Sequence, residues 1–172
     1  TNITGSNLVA IGNEALCKNN AYDNIAIGHI ASQCNTTGIS NIAIGTCALR
    51  FNETGSSNVV IGCGAAHINK TGHQNVALGN SSLYHANSGD DNFAAGLCSL
   101  YNNYGGCDNT AIGYKALCCN TTGYGNVGIG DSALRCSTTA YGNIGIGSDA
   151  GKVVTSTGSV LIGHTAGANT TT

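Results

Sequence analysis

Cysteine has the most reactive side chain in this sequence, and the 172 residues include nine of them. Several cysteines lie 17 residues apart, or nearly so, and no Cys-x-x-Cys motif occurs. Such spacing favours disulfides between neighbouring turns of a repeat, and thus an oxidising compartment, over redox catalysis. The alternative is a set of free, half-buried thiols. The candidate disulfide pairs are Cys17 with Cys34, Cys119 with Cys136 and, less well matched, Cys47 with Cys63.

Asparagines in the pattern Asn-x-Ser/Thr form a second group of residues open to covalent modification. Four of them lie seven residues after a regularly repeated glycine, at a Thr-Gly turn. In a secreted protein these positions predict N-linked glycans. The alternative is that a copied turn has simply copied its sequon. The candidate glycosylation sites are Asn2, Asn35, Asn52, Asn69, Asn80, Asn120 and Asn169.

Motifs that suggest catalysis or cofactor binding have structural explanations here. Gly128 and Gly130 begin a match to the dinucleotide pattern G-x-G-x-x-A, which requires a following helix that a short repeat leaves no room for. Asp90 and Asp91 belong to one polar turn rather than to two converging segments. The five histidines are scattered and do not supply the four matched ligands of a zinc site. We therefore expect neither an enzyme, a cofactor nor a metal site.

The overall composition narrows the possible partners. Net charge is −2 and charged residues make up 8% of the chain, which gives no electrostatic reason to expect nucleic acid. Apolar runs are far shorter than the roughly 20 residues of a membrane-spanning helix, so no membrane span is expected.

A strict repeat determines the predicted fold. The phrase Asn-x-Ala-Ile-Gly recurs along the chain, and its final glycine returns every 16 or 17 residues. This period is too short for a helical hairpin but suits one turn of a coiled sheet, with two short strands and their corners. The sequence therefore predicts one all-β domain over residues 1–172, a parallel β-solenoid of about ten 17-residue coils. The repeated glycines are Gly12, Gly28, Gly45, Gly62, Gly79, Gly96, Gly113, Gly130, Gly147 and Gly163.

Alternation within the repeat predicts which side chains face the core. Ile25 and Ile27 share one face of a strand, which we interpret as the inward face. The small residues between such pairs would then point outward and let another chain approach closely. This predicted inter-chain packing face consists of Ala26, Ala43, Ala77, Ala94 and Ala111.

The asparagine that opens each phrase falls at one position of every coil. Stacked amides can donate to one another's carbonyl oxygens along a parallel column. The alternative is that asparagine simply favours the corner conformation there. The residues concerned are Asn24, Asn41, Asn58, Asn75, Asn92, Asn109, Asn126 and Asn143.

The segment Asn109-Thr-Ala-Ile-Gly-Tyr-Lys-Ala-Leu117 resembles the head repeats of YadA-type trimeric adhesins. It is still more similar to the repeats of predicted phage and giant-virus fibre proteins. This resemblance covers nearly the whole chain and implies a left-handed β-roll, usually trimeric, that works in surface attachment. The YadA-type repeat is shorter and its heads lack cysteine, so handedness and trimer state rest on the resemblance alone.

These features together predict an extracellular structural fibre or adhesin segment on a cell or virion surface. Such a rigid rod would assemble with itself laterally or end to end, as a trimer or a filament, and would contact a host-surface glycan or protein. The alternative is a glycan- or ice-binding β-solenoid module, because Thr37, Thr54 and Thr71 recur at one position of successive coils.

Overall fold

The computed structural model describes residues 5–170 and contains a parallel β-solenoid, as the repeat predicts. Ten short strands form one parallel sheet in the order β1 to β9 followed by β11, while β10 and β12 pair separately. Each strand pairs in register with the same segment of the next coil, so that Ile25 lies beside Ile42 and Ile27 beside Ile44. The strands are β1 Val9–Ile11, β2 Ile25–Ile27, β3 Ile42–Ile44, β4 Val59–Ile61, β5 Val76–Leu78, β6 Phe93–Ala95, β7 Thr110–Ile112, β8 Val127–Ile129, β9 Ile144–Ile146, β10 Val153–Val154, β11 Val160–Ile162 and β12 Asn169–Thr170.

The inward face of the main sheet is the alanine face, so the predicted inter-chain packing face is wrong. The middle strand residues Ala26, Ala43, Ala77, Ala94 and Ala111 are completely buried in the core of the chain. The β-branched residues on either side of them point outward instead.

The thinness of the solenoid explains this orientation. Opposite the sheet lies a column of fully buried leucines, including Leu117 and Leu134. A methyl group added at Gly145, a middle strand position, would lie 2.8 Å from Leu134 Cγ. Only small residues fit between sheet and leucine column, and the larger isoleucines are therefore excluded from the interior.

The side of the coil opposite the strand is built from turns rather than from the predicted second strand. Ala48 N donates to the Gly45 carbonyl at 3.2 Å, and Asn52 N donates to the Leu49 carbonyl at 3.3 Å, which closes two consecutive tight turns. Cys47 and Leu49 have φ angles of 58° and 50°, in the left-handed region. Neighbouring coils still bond to each other here, since Leu49 N donates to the Ala65 carbonyl at 2.9 Å.

Two columns of buried asparagine hold the coils in register. The strand column comprises the asparagines that precede β2 to β9, and its stacked-amide interpretation is confirmed: Asn58 Nδ2 donates to Asn41 Oδ1 at 3.0 Å. The second, which we call the inner column, runs parallel to it; Asn52 Nδ2 donates to Asn35 Oδ1 at 2.7 Å. Both columns donate to the same backbone carbonyl in each coil, as Asn41 and Asn52 do to Gly55. The inner column consists of Asn19, Asn35, Asn52, Asn69, Ala86, Asn103, Asn120 and Ser137.

Candidate interaction surface

The main sheet presents an outward surface made almost wholly of aliphatic side chains. We define this aliphatic face as the first and third residues of the ten strands in the main sheet. Among these twenty positions Thr110 is the one polar residue, and none carries a charge. With neighbouring strands about 4.8 Å apart, the face is a flat strip roughly 43 Å long.

Many side chains of the aliphatic face are well exposed. Ile61 is 42% exposed and Ile112 38% exposed, although both belong to central strands with neighbours on each side. Soluble monomers rarely expose continuous apolar patches larger than a few hundred Å². The twenty side chains match the roughly 20–30 residues that each partner contributes to an interface of standard size.

Polar residues border the aliphatic face along both long edges. Exposed Asp23, Asp91 and Asp108 lie two residues before their strands. Exposed His29 and Asp131 lie two residues after theirs. An apolar centre with a polar rim is the usual anatomy of a protein–protein interface.

The surface of residues 5–170 offers no alternative site for small-molecule chemistry. No cavity opens in this part of the chain, and no cluster of His, Cys, Asp or Glu side chains within it could hold a metal ion. The same residues contain no helix long and apolar enough to cross a bilayer. The aliphatic face is therefore the feature from which a function can be argued.

The cysteines differ in how well the fold aligns them. Cys119 N donates to the Arg135 carbonyl, the hydrogen bond expected when Cys119 and Cys136 are direct neighbours on adjacent coils. Direct neighbours lie about 4.8 Å apart at Cα, within the range that a disulfide accepts. Burial raises the pKa of the Cys119 thiol, and the neighbouring Cys136 raises it further.

The other two predicted cysteine pairs are out of register by one residue. Lys18, not Cys17, pairs with Cys34, because the coil from Gly12 to Gly28 is one residue shorter than the others. Likewise Gly64 N donates to the Thr46 carbonyl, which places Gly64 rather than Cys63 beside Cys47. The prediction that Cys17 stacks on Cys34 is therefore wrong, and Cys119–Cys136 is the disulfide candidate that the fold aligns.

We predict that mild oxidation of the folded protein links Cys119 to Cys136 before any other pair. With oxidised glutathione as the oxidant, both thiols lose their protons and two glutathione thiols are released. Because the pKa of Cys119 is raised, the reaction should be slow at pH 7 and accelerate toward pH 9. Peptide mapping of the trapped product measures this, with Cys119→Ser as control. Faster linkage of Cys17 to Cys34 would contradict it.

Most of the predicted glycosylation sites are not accessible. The side chains of Asn35, Asn52, Asn69 and Asn120 are at most 1% exposed and form the inner column, so the glycosylation prediction is wrong for these four. Their amides are committed to hydrogen bonds between coils, and a glycan would have to break them. Asn80 is exposed and stays a candidate. Asn2 lies outside the described residues, and Asn169 lies in β12.

An aromatic ladder covers one corner of the central coils and was not predicted. The rings of His67 and Tyr84 stack at 4.8 Å, and those of Tyr84 and Tyr101 at 5.1 Å. Burial lowers the pKa of His67, whose Nδ1 lies 3.2 Å from the Cys47 carbonyl. The rings cover one another's faces, so the ladder supports the coil stack rather than offering a platform for a sugar. Its sequence signal was present, since these three residues lie 17 apart.

The fold and its exposed sheet define the class of this protein as a parallel β-solenoid repeat protein. Comparison with protein-family models, with curated proteins and with solved structures finds no match.

Proposed function

We propose that this chain is a rigid segment of an extracellular structural fibre or adhesin, and that it assembles side by side with further copies of itself through the aliphatic face. The observation that carries the proposal is the strip of twenty outward positions without a charge. The rod-like stack of identical coils and the resemblance of the repeat to adhesin and viral fibre repeats support the structural role.

The occupant that best fits the aliphatic face is a second copy of the same face. A partner must be flat, free of charge and long enough to cover a roughly 43 Å strip of evenly spaced rungs. Another copy meets each condition by construction, and two sheets pack face to face about 10 Å apart through such interdigitating side chains. A surface that is complementary to itself gives a closed dimer or, with rotation about a common axis, a trimer.

Replacing two central residues of the face with lysine tests the assembly. In the double variant Ile61→Lys and Ile112→Lys each charge would be buried without a partner, so we expect the dissociation constant of the assembly to rise at least ~100-fold. Light scattering after size-exclusion chromatography measures the mass of the particle. Both positions are exposed in the single chain, which should therefore keep its β-sheet circular dichroism signal.

The matched control carries the same charge elsewhere. Ile39 and Tyr124 are 44% and 51% exposed and lie at a corner outside the aliphatic face, so Ile39→Lys with Tyr124→Lys should assemble like the unmodified protein. Equal assembly by the face variant and the control would contradict the proposed interface. A strictly monomeric unmodified protein at high concentration would contradict self-assembly altogether.

The extracellular role needs a separate measurement on native material. Antibodies raised against the purified chain should label intact, unpermeabilised cells or virions, and electron microscopy should show the label on projecting fibres. Labelling that appears only after permeabilisation would contradict the surface location while leaving the assembly result untouched.

A further inference from the structure

The inner column is interrupted at Ala86, in the middle of the solenoid. Ala86 is fully buried and donates its backbone N–H to the Leu83 carbonyl, as Asn52 does to Leu49. It therefore occupies an asparagine position of the coil without an amide to place there. The side chains before and after it in the column are Asn69 and Asn103, both at most 1% exposed.

Three polar groups consequently face the position of the missing amide. Asn69 Oδ1 is buried without a hydrogen-bond partner, although the equivalent oxygen of Asn52 accepts from the next rung at 3.1 Å. The Gly89 carbonyl accepts from Asn75 at 2.7 Å, whereas the equivalent Gly72 carbonyl accepts from both asparagine columns. Asn103 Nδ2 donates to Gly106 at 2.7 Å and has a second hydrogen directed toward the Ala86 rung.

The neighbouring glycine confirms that no side chain of its own coil fills this space. A Cβ atom built on Gly72 would lie 2.4 Å from Asn69 Oδ1 of the same coil. At Gly89 the corresponding contact is missing, and the nearest side-chain atom is Asn103 Nδ2 of the next coil at 3.0 Å. An asparagine is larger than an alanine by one amide group, which is about the space that a water molecule needs.

We propose that one ordered water molecule binds at the Ala86 rung and takes the place of the missing amide. It donates to Asn69 Oδ1 and to the Gly89 carbonyl and accepts from Asn103 Nδ2. Three such partners are typical of a buried structural water, and leaving a buried amide oxygen unpaired is costly. The water thus continues the polar column across the one rung where alanine lies between two asparagines.

Substituting Ala86 with asparagine and with valine separates a wet site from a dry one. Asparagine fits every other rung of this kind and should displace the water while keeping all hydrogen bonds, so the melting temperature of Ala86→Asn should stay the same or rise. Valine would expel the water and leave the amide and carbonyl unpaired, so Ala86→Val should melt at least roughly 2–4 °C lower. A dry apolar space would give the opposite result for valine, a rise through better filling.

A direct count of long-lived waters decides the matter without reference to stability. Magnetic relaxation dispersion of water nuclei should find one fewer slowly exchanging molecule in Ala86→Asn than in the unmodified protein. A high-resolution crystal structure of the unmodified protein should show density within hydrogen-bonding distance of Asn69 Oδ1. Equal counts in the two proteins, or no density at that position, would overturn the proposal, as would a stabilising Ala86→Val.

Discussion

Gly113→Ala should destabilise the solenoid more than any other alanine substitution considered, by at least about 4 kcal/mol. A Cβ at this position would lie 2.4 Å from the Gly130 carbonyl oxygen and 2.7 Å from its carbon. Both are backbone atoms of the next coil, fixed by the hydrogen bond from Gly130 N to Ile112 O at 2.7 Å, and cannot rotate away. The φ angle of 128° adds backbone strain for any residue with a side chain. Denaturant unfolding followed by circular dichroism measures the loss.

Gly125→Ala is the matched control for this substitution. Gly125 also has a positive φ, of 62°, but a Cβ there would meet no atom within 4 Å. We expect a loss of about 1 kcal/mol from backbone strain alone. If the two variants unfold at the same denaturant concentration, close contact between coils is not the reason for the repeated glycine.

Asn109→Ala should cost about 3 kcal/mol or more, because it breaks the strand column at its centre. The Asn109 amide donates to Asn92 Oδ1 and to the Gly123 carbonyl, at 3.2 Å and 2.8 Å. Its oxygen accepts from the backbone N and from Nδ2 of Asn126, at 3.0 Å and 3.1 Å. Alanine leaves the buried N–H of Asn126 without an acceptor and creates a cavity in a rigid stack.

Exposed Asn80 provides the control for this second variant. Asn80→Ala removes the same amide from a solvent-facing corner, and its effect should stay within about 0.5 kcal/mol. Thermal melts and denaturant titrations of the two variants, measured side by side, give the difference. A loss at Asn109 as small as that at Asn80 would show that the asparagines serve the corner conformation and not the column.

The architecture could be predicted because the repeat constrains it strongly. A 17-residue spacing of glycine and asparagine leaves one geometry in which equivalent residues stack, and the columns of Asn41 and Asn58 follow from it. The direction of the strand faces could not be derived in the same way. Alternation separates Ile42 and Ile44 from Ala43 but is symmetric between inside and outside. The leucine column decides between them, and its distance from the sheet is a tertiary property.

Register errors in the sequence reasoning have a local origin. Counting 17 residues from Cys17 leads to Cys34, but the intervening coil is one residue shorter, and the true neighbour in the stack changes. The glycosylation sites failed for a different reason: the Asn-x-Thr pattern describes the residues around an asparagine and not its burial. The recurrence of Asn35, Asn52 and Asn69 at one position of the coil was itself the signal of a second column.

The hydrogen bonds between coils have a mechanical consequence for a fibre. They run from each coil to the next, along the long axis of the stack, as Ile25 N to Asn41 O and Ile42 N to Asn58 O illustrate. Tension applied along that axis therefore loads the coils in series, and an isolated rod would peel open one coil at a time. Rods pressed together along their aliphatic faces would instead share the load, because a coil could leave the stack only by also leaving its neighbour.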